Sequence, residues 1–198
     1  MPLDENRGKR TVVLLLILVG VNYSVALDLD DIHITVEGRA YHAQLSFDVT
    51  SSVDQVTAVL TDYDHPDRLT PDVTNRAVVS RQNGITRVRT EIHSCVVLFC
   101  KDLTLTQDVT VVAGTIQADI VPEESDFRRG YVHWLVTSST SGGSHIRYES
   151  VIEPDFFIPP LIGRYFIRKR LRQQIFATAE NLEREAARTP VPLANQDR

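Results

Sequence analysis

The residues best placed to do chemistry are two cysteines. Cys95 and Cys100 stand in EIHSCVVLFCKDL, residues 91–103, with four apolar residues between them, and the chain has no other thiol. Two thiols can hold a metal, shuttle electrons or staple the chain. A C-x-x-C redox motif has two intervening residues rather than four. A tetrahedral zinc site would need two further ligands, and only His93 stands near, on the same predicted strand. Of the other histidines, His33, His42, His133 and His145 fall singly on predicted strands, at spacings that make no ligand set. The densest polar cluster is DYDHPD, with Asp62, Asp64, His65 and Asp67 in six positions. It could be an acid/base or metal site, but aspartates beside Pro66 also suit a solvated turn between helices, and that is the expectation here. No phosphate loop, dinucleotide fingerprint or nucleophile elbow occurs, so neither a metal nor a cofactor is expected and nothing demands an enzyme.

The use of the thiols depends on the compartment. The chain opens MPLDENRGKRTVVLLLILVGVNYSVALDLDD. Arg7, Lys9 and Arg10 form a basic n-region, residues 11–21 are an apolar run of signal-peptide length, and Ser24-Val25-Ala26 supplies the small residues a signal peptidase reads. Asn22 and Tyr23 end the run short of the ~20 apolar residues of a spanning helix. A secretory signal over residues 1–26 is expected, cleaved after Ala26, the alternative being an uncleaved N-terminal anchor. Either places the body of the chain outside the cytoplasm. A bacterial periplasm fits best, because the one glycosylation pattern, Asn22-Tyr23-Ser24, lies inside the signal. An oxidising compartment favours a disulfide. Cys95–Cys100 is thus expected to bridge a hairpin, joining strands at about 85–95 and 100–112 through Val96-Val97-Leu98-Phe99, a four-residue loop. Such a tip is oddly apolar for a loop and must be covered or must meet something apolar.

Without residues 1–26 the chain has 172 residues (198 − 26), enough for one domain with a sizeable core. The 21 basic and 26 acidic residues become 18 and 24, a net charge of −6, which argues against general nucleic-acid binding. Nothing calls for a second copy, and a monomer is expected. Residues 27–188 read as the domain and 189–198 as a disordered tail.

The elements that must position these residues follow from hydrophobic period. Tyr41, Ala43, Leu45, Phe47 and Val49 alternate as a half-buried strand, and residues 32–36 can pair with it through Glu37-Gly38-Arg39. Ser51 or Ser52 can cap a helix carrying Val53, Val56, Val59 and Leu60. A second short helix or turn follows to Pro71. Strands are then expected at 73–81, ending at Gln82-Asn83-Gly84, in the cysteine hairpin, and at 115–121, 130–138 and 145–152. The chain closes on a helix over about 160–187, with Pro160 in its first turn. Ile167, Leu171, Ile175, Ala179, Leu182 and Ala186 make one apolar stripe along it.

This order, and above all VTSSVDQVTAVLTDYDHPDRLTPDVTNRAVVSR at the front and FFIPPLIGRYFIRKRLRQQIFATAENLE at the back, resembles the START-like helix-grip superfamily, in particular its polyketide cyclase/dehydrase and coenzyme Q-binding branches. The resemblance covers about residues 41–187. It implies an α+β fold in which a curved antiparallel sheet of six to seven strands grips the long helix, with two short helices after the first strand and an apolar cavity between sheet and helix. It implies carriage of a lipid, quinone or similar apolar molecule, or alternatively cyclase/dehydratase chemistry, or a cavity filled by its own side chains. On this frame the cavity and its mouth would take Tyr63 and Leu69 from the helical pair and Val97, Leu98, Phe99, Leu103 and Leu105 from the cysteine hairpin. Trp134 and Tyr148 would come from the later strands. Phe156, Phe157, Ile158, Leu161, Phe166, Ile167 and Leu171 would come from the last loop and helix. The secreted, bridged form departs from the intracellular members, so their ligands do not carry over.

One constellation stands apart. Apolar Phe156, Phe157, Ile158, Leu161 and Ile162 are followed at once by Arg164, Arg168, Lys169, Arg170 and Arg172, while Glu180, Glu183 and Glu185 come later on the same helix. Bases at a helix N-terminus oppose its dipole, at a few tenths to about 1 kcal/mol each. The arrangement suggests an external anionic partner, and Arg164, Arg168 and Lys169 beside aromatic residues suit a peripheral contact with an anionic membrane. It is equally what a cavity mouth beside an ordinary solvated face would show.

Overall fold

The computed structural model describes residues 32–70, 72–96, 99–140, 142–158 and 163–190. Eight strands make one antiparallel sheet: β1 (His33–Glu37), β2 (Ala40–Val49), β3 (Val73–Gln82), β4 (Ile85–Val96), β5 (Phe99–Val112), β6 (Thr115–Ile120), β7 (Phe127–Ser138) and β8 (Ser144–Pro154). Their order across the sheet is β1-β2-β8-β7-β6-β5-β4-β3. The curved sheet and long C-terminal helix are those of a helix grip. Six strands follow the helical pair as expected; the β1–β2 hairpin before it brings the total to eight, above the six to seven anticipated for the whole sheet.

Local sequence explains each element. The odd residues of β2 are buried and form one face. Helix α1 (Val53–Leu60) starts in a capping box: the Gln55 N–H donates to Ser52 Oγ at 3.3 Å, and the Ser52 N–H donates to Gln55 Oε1 at 3.0 Å. The expected second short helix or turn is a single 3₁₀ turn, Pro66–Arg68, with Pro66 at its first position, where proline is tolerated, and Pro71 close behind to stop it. Asn83-Gly84 makes the β3–β4 turn with both residues at positive φ, the geometry of a two-residue hairpin.

The long helix begins as a wide turn over Gly163–Ile167 and continues as helix α2 (Arg168–Arg188). Pro160 and Ile162 lie outside the described residues, as do the expected signal segment and residues 191–198. Thr189, assigned to the tail by sequence, closes α2: its N–H donates to the carbonyls of Glu185 and Ala186, and its own carbonyl accepts from Gln55 Nε2 at 2.6 Å. The apolar stripe of the helix divides in two. Ala179, Leu182 and Ala186 are buried against Val56, Val59 and Leu69 and against Leu45, Phe47 and Ile146 of the sheet. Leu171 and Ile175, nearer the N-terminus, are only half-buried and roof a cavity. No helix among the described residues is long and apolar enough to cross a membrane.

Candidate functional site

The cavity has a volume of about 280 Å³ and lies between the sheet and the N-terminal half of α2. Alternation along the strands decides which side chains reach it. On β4, Val88, Thr90 and Ile92 face it; on β5, Gln107 and Val109 do. Ile116, Ala118, Val132 and Trp134 continue the wall across β6 and β7, and Tyr148, Ser150 and Ile152 continue it onto β8. Leu60, Tyr63 and Leu69 close one side, and Leu171, Gln174, Ile175 and Thr178 form the roof. The lining is mostly apolar, with a few polar groups among it, the composition of small-molecule sites generally.

The polar groups are not scattered evenly. Arg76 of β3 enters the wall and donates from Nε to Thr90 Oγ1 at 3.2 Å across the β3–β4 pair. Burial lowers its pKa below the usual guanidinium value, against a smaller opposing effect of Tyr63. Burial raises the Tyr63 phenol above its ordinary value, with Arg76 pulling it back, so Tyr63 is neutral at physiological pH and no counterion to Arg76. Nε2 of Gln107 is buried with no hydrogen-bond partner among the described residues. Tyr148 packs on Trp134 at 4.5 Å between ring centroids, and its phenol is also pushed up by burial, partly offset by a hydrogen bond with Ser150.

Of the residues anticipated for the site, Tyr63, Leu69, Trp134, Tyr148 and Leu171 line the cavity. Leu103, Leu105 and Phe156 do not. They join Phe127 and Ile120 in a separate cluster at the end of the sheet, with the Phe156 and Phe127 rings edge to face at 6.3 Å. Ile92 and Ile152 belong both to that cluster and to the cavity wall, so Phe156 closes the face just beyond the cavity. Phe157 and Phe166 are exposed, and Ile158 and Ile167 are half-buried away from the wall. Val97, Leu98 and Leu161 lie outside the described residues, as do the side chains of Phe99 and Arg164. Arg168 and Lys169 are exposed at the start of α2.

The sequence reading missed Arg76, Gln107, Thr90 and Ser150. Gln107 and Thr90 had a legible signal: each is a polar residue in register with apolar neighbours, Leu105 and Val109 in one case, Val88 and Ile92 in the other. Arg76 had none, because irregular pairing between Val73 and Asn75 shifts the alternation of β3.

The thiols form the expected bridge. Their strands pair more tightly than anticipated: Cys95 and Cys100 are direct partners, β4 runs to Val96 and β5 starts at Phe99. The Cα atoms are 4.0 Å apart, shorter than the ~4.4–6.8 Å usual for a disulfide that the sequence reading expects. His93 lies beside the bridge, 3.5 Å from Cys95 Sγ and 2.6 Å from Asp102 Oδ1. With both sulfurs bonded to each other, the trio His93, Cys95 and Cys100 lacks the thiolates a metal would need. In DYDHPD, Asp62 accepts from the Asp64 N–H and pairs with His65 and Arg68, while Asp64 and His65 are exposed. That is a solvated turn, as expected.

Neither a family model nor a curated protein matches the chain. Solved structures do. A START superfamily protein from Mycobacterium smegmatis aligns at 12% identity over 74% of this chain and 97% of its own, with a TM-score of 0.60. The Zhui aromatase/cyclase from Streptomyces sp. R1128 aligns at 14% identity, covering 75% and 94%, with a TM-score of 0.62. A STAR-related lipid transfer protein from Xanthomonas axonopodis aligns at 17% identity, covering 83% and 98%, with a TM-score of 0.60. The fold is the START-like helix grip. The cavity described above lies between the sheet of this grip and the helix it holds, and identities this low speak for the START-like fold alone.

Proposed function

We propose that the protein binds and carries an apolar small molecule, a lipid, quinone or similar compound, in the cavity under α2, outside the cytoplasm and at a membrane surface. The observation that carries this reading is the cavity itself, apolar on most of its wall and roofed by the half-buried part of the helix stripe. Titratable groups among the described wall residues are tyrosines and Arg76; the carboxylates and imidazoles of the described chain lie elsewhere. Burial pushes the Tyr63 and Tyr148 phenols further above neutral pH, and the described wall offers no carboxylate or imidazole as acid or base, which favours binding over cyclase/dehydratase chemistry. The lipid-transfer neighbour supports the same reading. The Cys95–Cys100 bridge and the signal-like N-terminus support a periplasmic location.

Trp134, the single tryptophan of the chain, lines the cavity and reports its occupancy. Purified protein is expected to release a bound lipid or quinone in native mass spectrometry after organic extraction, and the emptied protein to shift its Trp134 emission when an apolar probe is added. Ala118→Phe, which fills the cavity from the sheet, should abolish both signals. A protein that carries no adduct and leaves Trp134 unmoved by any apolar probe would overturn the reading.

A further inference from the structure

We propose that the ligand of this cavity is an amphiphile with a single carboxylate head, held by the guanidinium of Arg76 with the Gln107 amide as a second donor. The inference rests on the binding reading above and narrows it to a chemical class.

The starting point is a cation set into an apolar wall. Among the described residues no carboxylate pairs with Arg76; its one hydrogen bond runs from Nε to the Thr90 hydroxyl. That leaves the two terminal nitrogens of the guanidinium, the pair that grips a carboxylate in two parallel bonds. Tyr63, which acts on it electrostatically, is neutral at physiological pH. A guanidinium drawn partly out of water into an apolar wall without a counterion is unfavourable unless something anionic meets it. Other arginines of this chain have such partners: Arg87 has Asp108 and Glu124, Arg128 has Asp155, Arg129 has Glu153, and Arg170 has Asp72. Arg172, half-buried too, bonds the Ile32 carbonyl instead; what distinguishes Arg76 is that it is the arginine among the described wall residues of the cavity.

A second observation points the same way. Gln107 is on the cavity wall, and its Nε2 is buried without a partner among the described residues. Gln107 pairs with Val88 on β4, and Arg76 pairs with Thr90, two residues along the same face. Cationic and neutral donors therefore stand on β3 and β5, either side of β4 and offset by two residues, roughly 7 Å, along the strands. A carboxylate between them would neutralise Arg76, and its second oxygen would meet the Gln107 amide once that amide turns into the cavity. One guanidinium balances one negative charge, which favours a monoanionic carboxylate over a phosphate monoester carrying up to two. Around this polar spot the wall is Val88, Val109 and Ile116 on the sheet and Leu171 and Ile175 on the helix, which suits an alkyl tail. At ~30 Å³ per water the volume equals roughly nine waters, so ten-carbon chains are probes of suitable size.

The test is titration of emptied protein with decanoate, decanol and decyl phosphate, read by Trp134 emission. Decanoate is expected to bind at least tenfold more tightly than decanol. Arg76→Met, close in shape but uncharged, should remove that preference while keeping decanol binding, and Gln107→Leu should reduce it severalfold. Arg76→Lys, which keeps the charge but not the paired geometry, should retain part of it and serves if the methionine variant does not fold. Wild-type protein binding decanol as tightly as decanoate would overturn the carboxylate head and leave the binding reading standing. Tighter binding of decyl phosphate would overturn it in favour of a phosphate head. Binding of none of the three would overturn this inference and, if other apolar probes also fail, the binding reading with it.

Discussion

Asp72 shows how one side chain can settle an electrostatic arrangement that looks unfavourable along the chain. Its carboxylate accepts from Arg170 Nη2 at 2.6 and 2.5 Å and from Gln174 Nε2, and it is only 14% exposed. It lies against the first two turns of α2, where a negative charge also suits the helix dipole. Of the basic residues crowded at this end, Arg170 is thus paired internally and Arg172 donates to the carbonyl of Ile32. Only part of the cluster remains for an external anion. The sequence shows the bases together but not their partner, because Asp72 comes from 98 residues earlier. Asp72→Ala should therefore destabilise the protein by about 1–3 kcal/mol, since it strands a half-buried guanidinium. Lys169→Ala, at an exposed position of the same turn, should change stability by less than about 0.5 kcal/mol. Urea denaturation of the two variants checks this, and equal effects would contradict it.

At the scale of elements, most of the strands were legible because period two and turn chemistry agree, as in the buried odd positions of β2 and the Asn83-Gly84 turn. The helix stripe was legible too. Its division into a packed half and a roofing half was not, because that depends on how the sheet curves beneath it. The turn between β5 and β6 is a case where sequence and backbone disagree. Ala113 and Gly114 both take positive φ, 45° and 80°. Glycine suits this, and alanine does not, at roughly 1–2 kcal/mol for a side chain in the left-handed region. Ala113→Gly or Ala113→Asn should raise stability by about 1 kcal/mol in thermal or chemical unfolding. Gly114→Ala should lower it, because a Cβ there would stand 2.5 Å from the Val136 carbonyl oxygen. An unchanged or lowered stability for both Ala113 variants would refute the strain argument.

At the scale of the molecule, the question is how an apolar ligand would enter a cavity from a bilayer. Phe157 is 79% exposed, Tyr165 67% and Phe166 39%, and the exposed Arg168 and Lys169 follow directly. Aromatic and basic residues side by side suit the boundary between headgroups and acyl chains. The loop before them is fixed to the sheet: Arg39 donates to the carbonyls of Pro154 and Phe156, and Lys101 lies 5.2 Å from the centre of the Phe156 ring. Lys101 follows Cys100, so the bridged hairpin and the Phe156 loop share one end of the sheet, as a common lip would require. The apolar character of both segments is legible in the sequence, but their contact is not, since it depends on strand order. We infer that this end docks on anionic membranes. Attraction should bring about 1 kcal/mol per basic residue near the surface, and burial of the aromatics about 25 cal/mol per Å². Wild-type protein should sediment with anionic vesicles more strongly than with neutral ones, and salt should weaken the binding without abolishing it. Arg168→Glu with Lys169→Glu should erase the preference for anionic vesicles, while Phe157→Ser should weaken binding to both. If both variants sediment like wild type, these residues are an ordinary solvated face and ligand entry does not use them.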